Sequence, residues 1–270
     1  MLPLVNSNQD YTCFKLVVAY DGTKFKGWQR GNGRTVQGVL EEALAHSVAQ
    51  AAQGGPVPIA DELMVVGAGR TDAGVHAEGQ VASIRLPADA DGVAVFAALN
   101  RNLPADIAVL SMTPADGRFH ARYLARQKTY RLAIIEGPVG DPFMTSRSWR
   151  ISEILDLEKM RGAAALLIGE KDFSSFTADK AKKNKIRNVF SIRIDRQTVR
   201  GASRVNIVFK SDGFLWNQVR IMAAALALVG RGEWNPAGLG RILAAQDRSL
   251  APPPAPARAL TLVSVEYDHA

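Results

Sequence analysis

The sequence predicts an α+β protein built from two halves of like element order, residues 1–116 and 117–270. Three observations predict it. Period-two apolar runs are interspersed with period-3.6 stripes along the whole chain. The first half reads β-α-β-β-α-β, the order of a ferredoxin-like unit, and the second half repeats that order loosely. The 270 residues are 47% hydrophobic and 22% charged, a globular composition with enough chain for a sizeable core.

Phe14, Leu16, Val18 and Tyr20 alternate within Cys13–Tyr20 and predict the first strand. Residues 21–33 form a glycine-punctuated loop. Thr35 has the chemistry of an N-cap. Behind it Val36, Val39, Leu40, Ala43, Leu44 and Val48 trace a helical stripe to about Ala52, where Gly54-Gly-Pro-Val-Pro58 ends it. Leu63–Val66 and Gln80–Leu86 are apolar enough for strands. Val93–Arg101 reads as a helix, Leu103–Asp106 as a turn and Ile107–Met112 as a strand.

In the second half Lys128–Ile135 predicts a strand and Ile154–Ile168 a helix. Val189–Asp195 and Arg204–Lys210 predict a hairpin across a basic turn. Phe214–Val229 and Pro236–Ala245 read as helices, and Leu260–Tyr267 as a strand. Ala251-Pro-Pro-Pro-Ala-Pro-Ala257 is a stiff, polyproline-like connector into that strand. Two such halves leave a cleft between them.

The net charge is +7, and its distribution narrows the partners. Residues 180–204 hold Lys180, Lys182, Lys183, Lys185, Arg187, Arg193, Arg196, Arg200 and Arg204 against one acid, Asp195. Lys24, Lys26, Arg30 and Arg34 interleave with Phe25 and Trp28 and no acid. Either cluster alone is equally a solvated face. Together they favour a nucleic acid, through phosphate contacts and base stacking. The single cysteine, Cys13, excludes an internal disulfide and a thiolate metal cage. No apolar run is long enough to span a bilayer. The first residues lack a basic region and an apolar core, so no signal peptide is expected and the cytoplasm is the expected compartment.

Between Leu63–Val66 and Gln80–Leu86 runs Gly67-Ala-Gly-Arg70-Thr71-Asp72-Ala-Gly74-Val-His76. Its glycines suggest a phosphate cradle, but the dinucleotide fingerprint needs a third glycine where Asp72 stands, and no Gly-Lys-Ser/Thr tripeptide exists. Asp72 and His76 alone do not make a metal site, and the four histidines are scattered. No Gly-x-Ser-x-Gly nucleophile is present. What remains is one carboxylate flanked by an arginine and glycines. Such a carboxylate serves as a covalent nucleophile or as a general acid or base. To stay ionised in a partly buried cleft it needs a cation, locally Arg70 or distantly Arg220. The competing readings are a structural turn for the loop and, for Arg220, a stem lying along the core with its head in water.

Gly69-Arg70-Thr71-Asp72-Ala73-Gly74-Val75-His76 resembles the signature loop of the TruA family of tRNA pseudouridine synthases. Further blocks resemble it in order: Tyr20-Asp21-Gly22, Gly27-Trp28-Gln29-Arg30, Thr35-Val36-Gln37, Asn100–Ile107, Phe119-His120-Ala121-Arg122, Tyr130-Arg131, Gly169–Phe176 and Val219-Arg220. The resemblance implies the pseudouridine synthase fold, two α+β halves sharing a mixed, mostly antiparallel sheet with a central cleft. It implies isomerisation of uridine to pseudouridine at positions 38, 39 and 40 of the tRNA anticodon stem-loop. It also implies a homodimer with tRNA across both subunits, and no cofactor or metal. Residue by residue, it makes Asp72 the catalytic aspartate, Tyr130 the active-site tyrosine and Arg220 the arginine paired with the aspartate. Arg70 would enter the RNA stack or touch phosphate, and Lys24, Lys26, Arg30, Arg34 and His76 are expected on the substrate side. Where the family carries His-x-Met before Val-Arg, this chain has Trp216-Asn217-Gln218, and residues 54–61 are inserted ahead of the loop. An RNA-binding protein without chemistry would explain the charge as well, but not the lone aspartate.

Overall fold

The computed structural model describes residues 11–52 and 63–268. The N-terminal decapeptide, the Gly54–Pro58 helix terminator and the 54–61 insertion lie outside the described residues. Residues 11–115 supply β1 (Tyr11–Tyr20), α1 (Val36–Ala51), β2 (Val66–Gly67), β3 (His76–Pro87), α2 (Gly92–Asn102) and β4 (Ile107–Ala115). Residues 125–267 supply β5 (Ala125–Glu136), β6 (Trp149–Arg150), α3 (Leu157–Ala165), β7 (Gly169–Asp172), β8 (Ile186–Val199), β9 (Ala202–Ser211), α4 (Gln218–Gly230), α5 (Pro236–Ala245) and β10 (Leu260–Tyr267).

These strands form one 10-stranded sheet along the path β4-β1-β3-β10-β5-β9-β8-β7, with β2 added to β3 and β6 to β5. Both halves lay their strands in the same spatial order. The first gives β4-β1-β3-β2 and the second β10-β5-β9-β8, so with the short β6 and β7 set aside each is fourth, first, third, second. The halves meet where β3 and β10 run parallel, through His76 opposite Thr261 and Ala77 opposite Leu262. Apart from this seam and the short β5–β6 pair, neighbours are antiparallel. The mixed, mostly antiparallel sheet of an α+β protein is therefore present.

One apolar cluster runs through both halves. It includes Leu16, Leu40, Leu44, Ile84 and Leu99 in the first, and Leu132, Ile134, Phe173, Phe176, Phe209, Met222 and Leu226 in the second. Each fully buried Leu or Phe contributes about 1.5–3 kcal/mol against the chain entropy lost on folding.

Several boundaries differ from those the sequence predicts. The Leu63–Val66 strand is only the stub Val66–Gly67, because β10 takes the other stretch of the β3 edge. The Gln80–Leu86 strand starts at His76, so the loop closes four residues earlier than periodicity suggests. The Ile154–Ile168 helix begins at Leu157, where the Asp156 side chain accepts from Lys159 N. The Phe214–Val229 helix begins at Gln218, because Asn217 before it adopts a left-handed conformation at φ 62°. The hairpin turns through Arg200 and Gly201, both at positive φ, a two-residue turn whose twist matches its strands. β6 and β7 are too short to show a period.

Candidate active site

Asp72 lies in the loop 68–75 that leaves β2 and enters β3 beside the β3–β10 seam. The loop is held from several sides. Ala68 N donates to Val81 O at 2.7 Å, Trp28 N to Thr71 O at 3.1 Å and Gly74 N to Phe25 O at 3.3 Å. Gln80 Nε2 donates to Gly69 O at 2.9 Å. The Tyr20 hydroxyl and Thr71 Oγ1 are hydrogen-bonded at 2.8 Å. Burial pushes that phenol up to about 12, so it stays neutral. Two glycines make the path feasible. A Cβ on Gly67 would stand 2.5 Å from the Trp28 indole, and Gly74 turns the chain at φ 79°.

Arg220 reaches the loop from the first turn of α4. Its Nη1 donates to Asp72 Oδ2 at 2.9 Å and to Asn217 Oδ1 at 2.6 Å, and its Nε donates to Ala255 O at 2.7 Å. Ala255 N donates back to Arg220 O at 3.1 Å. The proline-rich connector is thus a clamp on the arginine as well as a spacer. The two charged side chains are 27% (Asp72) and 15% (Arg220) exposed, so their attraction is only partly screened. Asp72 Oδ1 has no hydrogen-bond partner among the described residues, which leaves one carboxylate oxygen for a ligand.

Tyr130 is buried on β5 and stands edge-on to Phe214, ring centres 5.4 Å apart. Its hydroxyl has no protein partner among the described residues. Burial, then the neighbouring Tyr20 and Asp72, hold its phenol well above the usual range. Asp72, Tyr130 and Arg220 all line one cavity of about 1010 Å³, together with residues of both halves. Seven Lys and Arg side chains line it against three Asp.

Of the basic residues expected on the substrate side, Lys26 and Arg70 line this cavity, and Arg70 Nε is held by Gln29 Oε1 at 3.0 Å. Lys24, Arg30 and Arg34 are not among its lining residues. Arg34 makes a two-pronged pair with Asp106 at 2.8 and 2.9 Å and covers the Phe25 ring. That guanidinium holds the Asp106 carboxyl below its usual range. Arg30 lies 3.5 Å from Glu41. His76 is buried at 3% exposure, away from the cavity. Its Nδ1 accepts from Gly22 N at 3.1 Å, with an Asp21 carboxylate oxygen 3.2 Å away. Its Nε2 sits 3.1 Å from the carbonyls of Ser146 and Arg258, which only accept, so Nε2 carries the proton. It ties the end of the loop to both halves. Within the 180–204 cluster, Arg196 pairs with Glu136 and Arg200 with Asp141, whereas Lys182 and Arg187 face the cavity.

Sequence reasoning missed Asn217, Ala255 and Lys128. Lys128 Nζ donates to Ala68 O at 2.8 Å and lines the cavity. Its signal was its place two residues before Tyr130, which puts both on one face of a strand.

A cationic cleft between two α+β halves, with one carboxylate in its wall paired to an arginine, suits a protein that receives a polyanion such as RNA. Comparison with known proteins agrees. A family model described as tRNA pseudouridine synthase matches residues 16–124 and 163–268. The tRNA pseudouridine synthase A of Limosilactobacillus reuteri is 41% identical over 256 residues, covering 94% of this chain and 96% of that one. That of Syntrophotalea carbinolica is 42% identical over 255 residues, covering 94% and 95%. That of Paramagnetospirillum magneticum is 37% identical over 256 residues, covering 94% of both. The chain belongs to the tRNA pseudouridine synthase family, whose activity is isomerisation of uridine to pseudouridine in tRNA.

Proposed function

We propose that this chain isomerises uridine at positions 38, 39 and 40 of the tRNA anticodon stem-loop, using Asp72 as nucleophile or base. The observation that carries the reading is the Asp72 carboxylate itself. One oxygen is fixed by Arg220, and the other is unpartnered in a cavity large enough for a nucleotide. The reaction breaks the bond from N1 of uracil to C1′ of ribose and makes one from C5 to C1′, moving the C5 proton to N1. Asp72 assists either by attacking C1′ or by taking the proton on C2′. A paired uridine hides its glycosidic bond, so the base must leave the stack to reach the cavity. Arg70 and Lys26 meet the RNA there.

Tyr130 packs on the uracil while it turns. Burial holds its phenol above the usual range, so the hydroxyl meets the base protonated, as a hydrogen-bond donor. Arg220 aims the Asp72 carboxylate through the 2.9 Å hydrogen bond to Oδ2. Residues 1–116 bring the carboxylate, and residues 117–270 bring Tyr130 and Arg220.

The family resemblance supports a cytoplasmic homodimer that receives tRNA across both subunits and needs no cofactor or metal. No helix among the described residues is long and apolar enough to cross a membrane. Among the described residues no group of three or more His, Cys, Asp or Glu is placed to hold a metal.

The test maps pseudouridine in tRNA from cells lacking this protein, complemented with wild type or Asp72→Asn. The expected result is loss at positions 38–40, restored by wild type and not by the variant. Unchanged modification in the null strain would sink the substrate assignment.

A further inference from the structure

Beyond the catalytic trio, the cavity brings two cations of the 180–204 cluster together with two from outside it. Arg122 comes from the loop ahead of β5, Lys128 from β5, Lys182 from the segment between β7 and β8, and Arg187 from β8. The acids nearby are already engaged. Asp179 Oδ1 accepts from the backbone N–H groups of Ala181 and Lys182, and Asp212 Oδ1 from Asn188 N and Ser211 Oγ. None of the four cations forms a salt bridge among the described residues. Among the described residues Arg187 bonds only the carbonyl of Ile186. Among the same residues Lys128 bonds only Ala68 O, which leaves two of its three donors for a ligand.

Collecting like charges in a partly buried wall is unfavourable unless an anion joins them. The strain is visible at Lys128. Burial first, then the charges of Arg122 and Arg187, push its ammonium down to about 8, with Asp212 acting in the opposite sense. Lys182 is lowered as well, by burial and by Arg187. The anion that fits is set by reach. Lys128 and Tyr130 share one face of β5 about 6.5 Å apart, on the order of one nucleotide along an RNA strand.

We propose that Arg122, Lys128, Lys182 and Arg187 form a phosphodiester subsite in the cavity wall, which grips the RNA backbone at or beside the nucleotide presented to Asp72. This deepens the reading of the preceding subsection and rests on it. Lys128 has a double duty. It binds the phosphate and, through Ala68 O, ties that phosphate to the loop bearing Asp72. Lys128 is a positioning residue, since it touches the loop and the backbone of the substrate and not the reacting atoms.

The test measures binding and single-turnover pseudouridine formation on an anticodon stem-loop transcript. The proteins are wild type, Lys128→Met, Lys128→Arg and Lys182→Gln. Lys182→Gln breaks no side-chain bond among the described residues, so it guards against misfolding of Lys128→Met. Lys128→Met and Lys182→Gln should each weaken binding about tenfold. Each should also lower the steepness of log affinity against log salt by about 0.7–0.9, the share of one phosphate. Lys128→Arg should restore most of both. Transcripts with one neutral methylphosphonate in place of a phosphate locate the contact. At the matching position the neutral link should cost wild type as much as Lys128→Met does, and cost Lys128→Met nothing further. Wild-type salt slopes in both charge-removing variants would overturn the subsite, as would full additivity at every position scanned. Failure of wild type to make pseudouridine on this transcript would instead overturn the preceding reading, while the binding data still decide the subsite.

Discussion

Arg220 Nη1 lies 2.9 Å from Asp72 Oδ2 and 2.6 Å from Asn217 Oδ1, while its Nε is fixed 2.7 Å from Ala255 O. A single guanidinium therefore joins the loop after β2, the turn before α4 and the proline-rich connector. A lysine offers no planar fork for three acceptors in those directions. Arg220→Ala should cost about 2 kcal/mol, between the values for exposed and fully buried pairs, and lower Tm by about 4–8 °C. Turnover should fall about 10²-fold or more as Asp72 loses its aim. Arg220→Lys should recover some stability and little turnover. Thermal melts and single-turnover rates check both, and near-normal turnover in Arg220→Ala would make the arginine a packing residue.

Asp72→Asn removes the charge and keeps the shape. Pseudouridine formation should fall by about 10²–10⁴ or more, while affinity for tRNA changes little because the cationic wall is untouched. Filter binding beside product analysis separates the two effects. A variant that lost binding and chemistry together would point to a folding defect.

Tyr130→Phe and Tyr130→Ala should part company. The hydroxyl has no protein partner among the described residues, so Tyr130→Phe should leave stability within about 0.5–1 kcal/mol and lower the rate. Tyr130→Ala also strips the ring from Phe214 and should cost about 3–5 kcal/mol. Because the phenol is held above its usual range, its ionisation should not limit the rate below pH 10. An alkaline limb below pH 10 that vanishes in Tyr130→Phe would refute this.

Lys128 should make RNA binding pH-dependent. It faces Arg122, Arg187 and Lys182, whose charges lower it, and Asp212, which opposes them. The free ammonium is charged below about 8 and neutral above. Affinity should therefore be full below that pH and decline as pH rises through it. A bound phosphate moves the break upward in the complex. Lys128→Arg, which does not titrate there, should flatten the profile between pH 7 and 9. An equally steep profile in that variant would assign the titration elsewhere.

Gly67→Ala tests the seat of the loop. The added carbon would stand 2.5 Å from the Trp28 ring, whose atoms have no flexible end to swing away. A loss of about 1–3 kcal/mol is expected, with a change in tryptophan fluorescence as Trp28 shifts. Unchanged stability and emission would mean that the indole yields freely.

The strands with alternating apolar faces, such as Phe14 to Tyr20, were legible because one face meets a core and the other does not. The two-residue β2 was not. Its length is set by β10 arriving from the far end of the chain, and no local pattern carries that. Asp72 stood out by its glycines, but its partner was ambiguous. Periodicity alone makes Arg220 a core-edge arginine, and only the resemblance favoured the ion pair that is observed. Charge density misled at Arg34 and Arg200. Both sit in basic runs, yet each is tied to one acid distant in sequence, Asp106 and Asp141. Lys128 went unread because its one local signal, the strand face it shares with Tyr130, does not tell a ligand-facing lysine from a solvated one. Its company of Arg122, Lys182 and Arg187 exists only after folding.

β10 is translated after every strand it joins, yet it lies in the middle of the sheet between β3 and β5. A ribosome that has finished β9 and α4 holds two separate sheets, with no seam between them. Ala255, which clamps Arg220, and Arg258, whose carbonyl accepts a hydrogen bond from His76 Nε2, arrive just ahead of that strand. The two sides of the active site are therefore joined in one sheet only after β10 has been made. A nascent chain that lacks β10 carries the cationic segments but not the seam that sets Asp72 and Arg220 in one sheet. It can touch its substrate before it can alter it.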